Sequence, residues 1–297
     1  MADQEVTFDR SNIDKAAAQL RHAAETMNPG PPIRDLISAG GVEAAYAVQD
    51  ANTTHYLANG RRLVGRKTGL TSKSVQKQLG VNQPDYGMLY ADMDVPEGQP
   101  ILLTRVVQPK VEAEIALVIG RDLDDPDVTT AEMLRAIEYV VPAIEIVDSR
   151  IANWDIKIWD TIADNASSGV YTLGAVPKKL DGLDLRTCGM VMERRGDPIS
   201  VGAGVACLGS PISAALWLAQ VMAKAGRPLK AGGRRDPQRR ARPDGRRRGR
   251  RRGRGADQRC RHRQSLFRSG RLKALWEIYE CRRSNARSSV PATSART

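Results

Sequence analysis

A chain of 297 residues with 41% hydrophobic content can bury a sizeable core, as one large domain or two ordinary ones. It has no unbroken apolar run near ~18 residues, which reads against a transmembrane helix, and its first residues, MADQEVTFDRSNID, lack the apolar stretch of a signal peptide. The formal charge of +12 hides two unlike parts: residues 232–297 hold 22 Lys and Arg against 5 Asp and Glu, which leaves residues 1–231 mildly acidic, with 24 against 29.

Residues 9–28 predict a helix, capped by Ser11 or Asn12, with Ile13, Ala16, Ala17, Leu20 and Ala24 on one face. Pro-Gly-Pro-Pro at 29–32 breaks it, and a second helix is expected over about 42–58. His55 falls there as a surface or packing residue. From Arg62 the pattern turns to short strands and loops. RRLVGRKTGLTS sets Lys67 between Gly65 and Gly69, which would let the backbone approach a ligand closely. Lys67 is a candidate electrophile or proton carrier; the alternative is a solvated loop lysine. QPDYGMLYADM reads as a loop bearing Asp85, followed by a strand.

The stretch from Val107 to Arg150 carries the chemistry. In VEAEIALVI a strand repeats every second residue, so Glu112 and Glu114 share a face. Among Val107, Ile115, Leu117, Val118 and Ile119 this strand reads as mostly buried, a costly place for two carboxylates about 7 Å apart. Glu145 lies in similar surroundings in VVPAIEIVDSR. Three acids on two apolar strands suit a hard divalent cation such as Mg²⁺ or Mn²⁺; the alternative is a solvated strand face. Between these strands, residues 130–140 predict a helix capped by Thr130.

After Glu145, SRIANWDIKIWDTIADNASSG is a polar loop or short helix that could close over a site, with Asp155, Lys157, Asp160, Asp164 and Asn165. A hairpin is expected to turn at Arg195-Gly196-Asp197, and 209–226 is an amphipathic helix opened by Ser210-Pro211. Cys188 and Cys207 read as small buried residues. With Cys260 and Cys281 they show no CxxC spacing, which argues for a reducing cytoplasm and against zinc or a disulfide scaffold. His22, His55 and His262 lie in unrelated contexts.

Five blocks in fixed order, GRKTGLTS, QPDYGMLYADM, VEAEIALVIGRDL, PAIEIVDSRI and DTIADNASSG, make residues 10–231 resemble the 2-oxopent-4-enoate hydratase and 4-oxalocrotonate decarboxylase family of the fumarylacetoacetate hydrolase superfamily. The resemblance implies an α+β fold: a mixed β-roll core with an N-terminal helical region over 1–60 and a metal-binding catalytic domain over 61–231. It implies that Glu112, Glu114 and Glu145 hold Mg²⁺ or Mn²⁺, and that Lys67 and Asp85 transfer protons. The implied reaction hydrates 2-hydroxypenta-2,4-dienoate to 4-hydroxy-2-oxopentanoate, in the meta-cleavage catabolism of aromatic compounds. Decarboxylation of 4-oxalocrotonate is the alternative on the same scaffold. A homo-oligomer is implied, with room for a complex with other enzymes of that pathway.

The resemblance stops after PLKAG, where the family continues with Gly-Asp-Val-Val and a Gly-Ala-Leu-Gly turn. Gly232 to Gln238 can be written with the codons GGC GGA CGT CGT GAT CCT CAG; deleting one G from that choice gives GGC GAC GTC GTG ATC CTC, or Gly-Asp-Val-Val-Ile-Leu. Permitted codons through Arg248 then recover Gly-Ala-Leu-Gly-Pro-Met-Val-Ala-Val. Residues from about 233 onward therefore read as frameshifted, with tail 232–297 disordered and the core lacking its closing strands. Two further readings compete. A genuine basic arm would bind nucleic acid, although the tail lacks interleaved aromatics. A catalytically dead partner of a related enzyme would not need the intact Glu112, Glu114 and Glu145.

Overall fold

Asp9 opens the first helix, its carboxylate accepting the N–H of Ser11 at 2.9 Å, so the cap falls slightly before Ser11 and Asn12. The computed structural model describes residues 9–233 and 272–275. Helix α1 (Arg10–Thr26) buries Ile13, Ala16, Ala17, Leu20 and Ala23, one alanine earlier than expected at the end of the stripe. After a short α2 (Arg34–Ile37), α3 (Gly41–Ala58) lays Ala44, Ala45 and Val48 against α1. Ile151, Ile162 and Ala163 complete that core. The N-terminal helices thus share their apolar cluster with the segment after Glu145. His55 is exposed in the last turn of α3, as expected.

β1 (Leu63–Gly69) and β2 (Asp85–Tyr90) pair antiparallel, with α4 (Lys73–Leu79) between them in sequence. Lys67 and Asp85 therefore lie on strands rather than on loops. The register sets Lys67 opposite Gly87 and Gly69 opposite Asp85, so these residues share one face of the ribbon. The other face, with Tyr86, Met88 and Tyr90, packs on Leu218 and Met222.

A second antiparallel sheet runs in the order β3 (Pro109–Ile119), β4 (Ile137–Asp148), β5 (Ser168–Leu173). Helix α5 (Thr130–Ala136) precedes β4 and is capped by Thr129, not Thr130. It ends at Ala136 because Ile137-Glu138-Tyr139-Val140-Val141, β-branched and aromatic, already belongs to the strand. Helix α6 (Ile158–Ala163) then leads into β5. β3 departs from the buried strand expected: Glu112 and Glu114 are exposed, and among the described residues β3 pairs with β4 alone.

The third sheet is the hairpin of β6 (Gly189–Arg194) and β7 (Asp197–Ala203), turning through Arg195 and Gly196 at φ 55° and 91°. Helix α7 (Pro211–Lys224), capped by Ser210, buries Ala214, Ala215, Leu218, Ala219 and Met222. The segment Gly204–Lys224 is long and apolar enough to cross a membrane by length and composition, although its apolar residues are interrupted by small and polar ones. Here its α7 part fills the core between the strands and α5. Cys188 and Cys207 are half-buried rather than buried, and both are free thiols.

Mixed helices and small, mainly antiparallel sheets make this an α+β fold. Within the tail, β8 (Leu272–Leu275) pairs parallel with β6, so these residues form a strand where disorder was expected. The rest of that expectation lies outside the described residues.

Candidate active site

Period-two alternation delivers the carboxylates as expected. In the β3–β4 register Glu112 stands directly opposite Glu145, and Glu114 lies two residues along on the same face. Glu145 is buried, at 8% exposure, whereas its two partners on β3 reach solvent. Among the described residues no three carboxylate, imidazole or thiol side chains converge on one point as a metal's ligands would. Glu145 turns instead to Lys67, whose Nζ lies 2.7 Å from Oε1.

Glu114 reaches solvent, yet protein atoms crowd its carboxyl group. Burial, then the charges of Glu145 and Glu112, push its carboxyl up to about 8 against the pull of Lys67. For Lys67 burial acts downward, yet Glu145, Asp85 and Glu112 outweigh it and hold the ammonium charged. Burial acts upward on Glu145, opposed by Lys67. These tendencies pull the pair in opposite senses; the 2.7 Å separation is that of an ion pair, and both groups are read as charged. Lys67 is thus the charged partner of the buried Glu145 carboxylate.

Asp85 completes the face. It is 1% exposed, Thr161 donates to its Oδ2 at 3.4 Å, and its Oδ1 has no partner. Burial, offset in part by Lys67, pushes its pKa up to about 6. Gly69 opposite is required: a Cβ there would lie 2.2 Å from Asp85 Oδ1.

A buried polar network through Asp148, Arg150 and Asp164, without a signature in the sequence pattern, joins these elements. Asp148 accepts both backbone N–H groups of Val107 and Gln108, at 2.9 and 2.6 Å, which ties the entry of β3 to the exit of β4. Arg150 holds Asp164 through its Nε and its backbone N–H, the latter at 3.0 Å. The charged residues of VDSRI and ADN stand in the sequence, but their pairing depends on a fold that brings 148–150 beside 164.

The profile described as Fumarylacetoacetate (FAA) hydrolase C-terminal matches residues 49–232. The chain belongs to the fumarylacetoacetate hydrolase superfamily. Within it the chain falls in the 2-oxopent-4-enoate hydratase and 4-oxalocrotonate decarboxylase family. It is 62% identical over 220 residues to the TodF product hydratase of Pseudomonas putida, covering 74% of this chain and 82% of that one. It is 55% identical over 221 residues to 2-keto-4-pentenoate hydratase 1 of Dechloromonas aromatica, covering 74% and 84%. A solved structure of 4-oxalocrotonate decarboxylase from Pseudomonas putida, complexed with magnesium and adipate, superposes with a TM-score of 0.73 at 34% identity, covering 76% of this chain and 86% of that one.

Proposed function

We propose that this chain is a metal-dependent hydro-lyase that converts 2-hydroxypenta-2,4-dienoate to 4-hydroxy-2-oxopentanoate, in the meta-cleavage breakdown of aromatic compounds. The observation that carries the reading is one face holding Lys67 against Glu145, Asp85 with an orphaned oxygen, and Glu112 across from Glu145. Relatives named hydratases at 62% and 55% identity favour hydration over the decarboxylation named for a structure at 34%.

The donor set fits a hard divalent cation in kind. Glu112 faces Glu145 across the register, and Glu114 is raised by burial and by carboxylate neighbours whose charge a cation would relieve. A Mg²⁺ or Mn²⁺ ion held by Glu112, Glu114 and Glu145 would supply Lewis-acid stabilisation of the charge that develops on a 2-oxo acid. Lys67 and Asp85 are the proton carriers of this reading. A proton leaves the 2-hydroxyl and one arrives at C5, giving the α,β-unsaturated ketone; water then adds its oxygen at C4 and a proton at C3. The buried Asp85, with no partner on Oδ1, is suited to accept and return such a proton. Glu114→Gln tests the assignment: metal-dependent turnover should be abolished, and unchanged turnover with unchanged metal affinity would refute it.

The same reading places the protein in the cytoplasm, which the free thiols of Cys188 and Cys207 support, and as a homo-oligomer, which the exposed Ile199, Val201 and Val205 support. It also takes residues from about 233 onward as the product of a one-base shift in reading frame. The family match ending at residue 232 supports this. Sequencing the codons for Ala231 to Arg235 tests it: a frame that stands, with no shift recovering Gly-Asp-Val-Val, would make the basic tail genuine.

A further inference from the structure

Past α6 the backbone takes three consecutive left-handed residues, Asn165, Ala166 and Ser167, at φ 58°, 52° and 49°. Only asparagine among them visits that region readily, and such a run persists where its surroundings over-determine it. Here they do. The Asn165 side chain grips Met88 of β2 as a neighbouring strand would: Oδ1 accepts the Met88 N–H at 2.6 Å, and Nδ2 donates to the Met88 carbonyl at 2.9 Å. The Ser167 carbonyl accepts the Asp148 N–H at 2.7 Å, and Arg150 Nη1 donates to the Ser168 carbonyl at 2.6 Å.

The turn meets the ribbon at one point. A Cβ on Gly87 would lie 2.4 Å from the Asn165 carbonyl oxygen, so only glycine allows this approach. Gly87 is the register partner of Lys67. The gripped turn thereby presents the Ala166 carbonyl to Lys67 Nζ at 3.0 Å, while Glu145 Oε1 lies at 2.7 Å. Its far end reaches the other proton carrier: Ser167 Oγ is 3.5 Å from Thr161 Oγ1, which donates to Asp85. A connection needed only to join α6 to β5 would require neither the strained run nor the amide grip.

We propose that the Asn165–Ser167 turn is the positioning device of Lys67, and that Asn165, through its grip on Met88, is the residue that sets it. The proposal rests on the reading of Lys67 as a proton carrier. Asn165 acts through the Ala166 carbonyl and needs no contact with substrate.

The first test does not depend on turnover. Lysines of the full chain are acetylated with limiting acetic anhydride and the extent at each is read by mass spectrometry. Lys67 should be strongly protected relative to the exposed Lys178. Asn165→Ala and Asn165→Gly should each raise labelling of Lys67 and leave Lys178 unchanged. Glycine keeps the left-handed backbone at no steric cost, so a folded Asn165→Gly protein is available even where alanine unfolds the turn. Unchanged protection of Lys67 in folded Asn165→Gly would overturn the proposal.

The second test uses 2-hydroxypenta-2,4-dienoate. Asn165→Gly should lower kcat about tenfold to a hundredfold with KM nearly constant, the size expected for a misplaced reacting group. Added to Lys67→Met it should cause no further loss, because both act on the same step. Losses that multiply would contradict the proposal. A chain in which Lys67 is released by Asn165→Gly, yet which never hydrates the dienoate, upholds the turn and counts against the hydratase reading.

Discussion

Lys67 and Glu145, on strands of two different sheets, meet with Nζ 2.7 Å from Oε1 and each side chain only 10% exposed. This contact joins the β1–β2 ribbon to the sheet that carries the carboxylates. Removing one partner of so buried a pair strands the other charge, so Lys67→Met should destabilise the fold by about 3 kcal/mol. The lost ammonium also stops competing for Glu145. Added Mg²⁺ should therefore raise the melting temperature of Lys67→Met by more than that of the parent. Equal shifts in thermal melts would argue against a shared claim on Glu145.

Gly69 faces Asp85 so closely that a Cβ would fall 2.2 Å from Oδ1. The carboxylate must move to admit it. Gly69→Ala should cost about 1–3 kcal/mol as local overpacking and, on the proposed role of Asp85 as proton carrier, lower kcat by about tenfold or more. Denaturant melts and steady-state kinetics measure the two effects; full activity at reduced stability would remove Asp85 from the chemistry.

Burial pushes the Asp85 carboxyl up to about 6 from an ordinary 3.8. Ionising it costs the folded state. Its contribution to stability is fully present below the ordinary carboxylate range and is lost as the pH rises through about 6. Asp85→Asn removes this dependence. The variant should gain on the parent between about pH 4 and pH 6, by as much as about 3 kcal/mol. Urea melts across that window check it, and a constant difference between the two proteins would contradict it.

On the proposed one-base shift, a chain whose gene has that base removed after Gly232 should melt higher and turn over faster than the 297-residue form. β3 has a free edge among the described residues, whose backbone groups a further strand would pair. Side-by-side melts and assays decide the matter; equal stability and activity would show that the basic tail is harmless.

Much of the site was legible because it rests on short-range rules. Alternation alone put Glu112 and Glu114 on one face, and the helix signals at Asp9, Thr129 and Ser210 were readable to within a residue or two. Lys67 and Asp85 were read as loop residues because the glycines around them resemble loop punctuation. Gly69 and Gly87 instead serve close approach between Asp85, the Asn165 turn and the strands, a tertiary demand with no local signature. The same holds for Arg150 and Asp164, which are far apart until α6 folds back. In the sequence Asn165 is one more polar residue of a loop; its left-handed backbone and its grip on Met88 appear only in three dimensions.

The most direct test follows dienol absorbance while this chain, and its frame-restored counterpart, are supplied with 2-hydroxypenta-2,4-dienoate before chelation, after it, and after Mg²⁺ or Mn²⁺ is returned. The account predicts formation of 4-hydroxy-2-oxopentanoate that stops on chelation, recovers with metal, and is absent in Glu114→Gln. Hydration that survives chelation and that substitution, or a frame-restored chain that releases carbon dioxide from 4-oxalocrotonate and leaves the dienoate untouched, would contradict it.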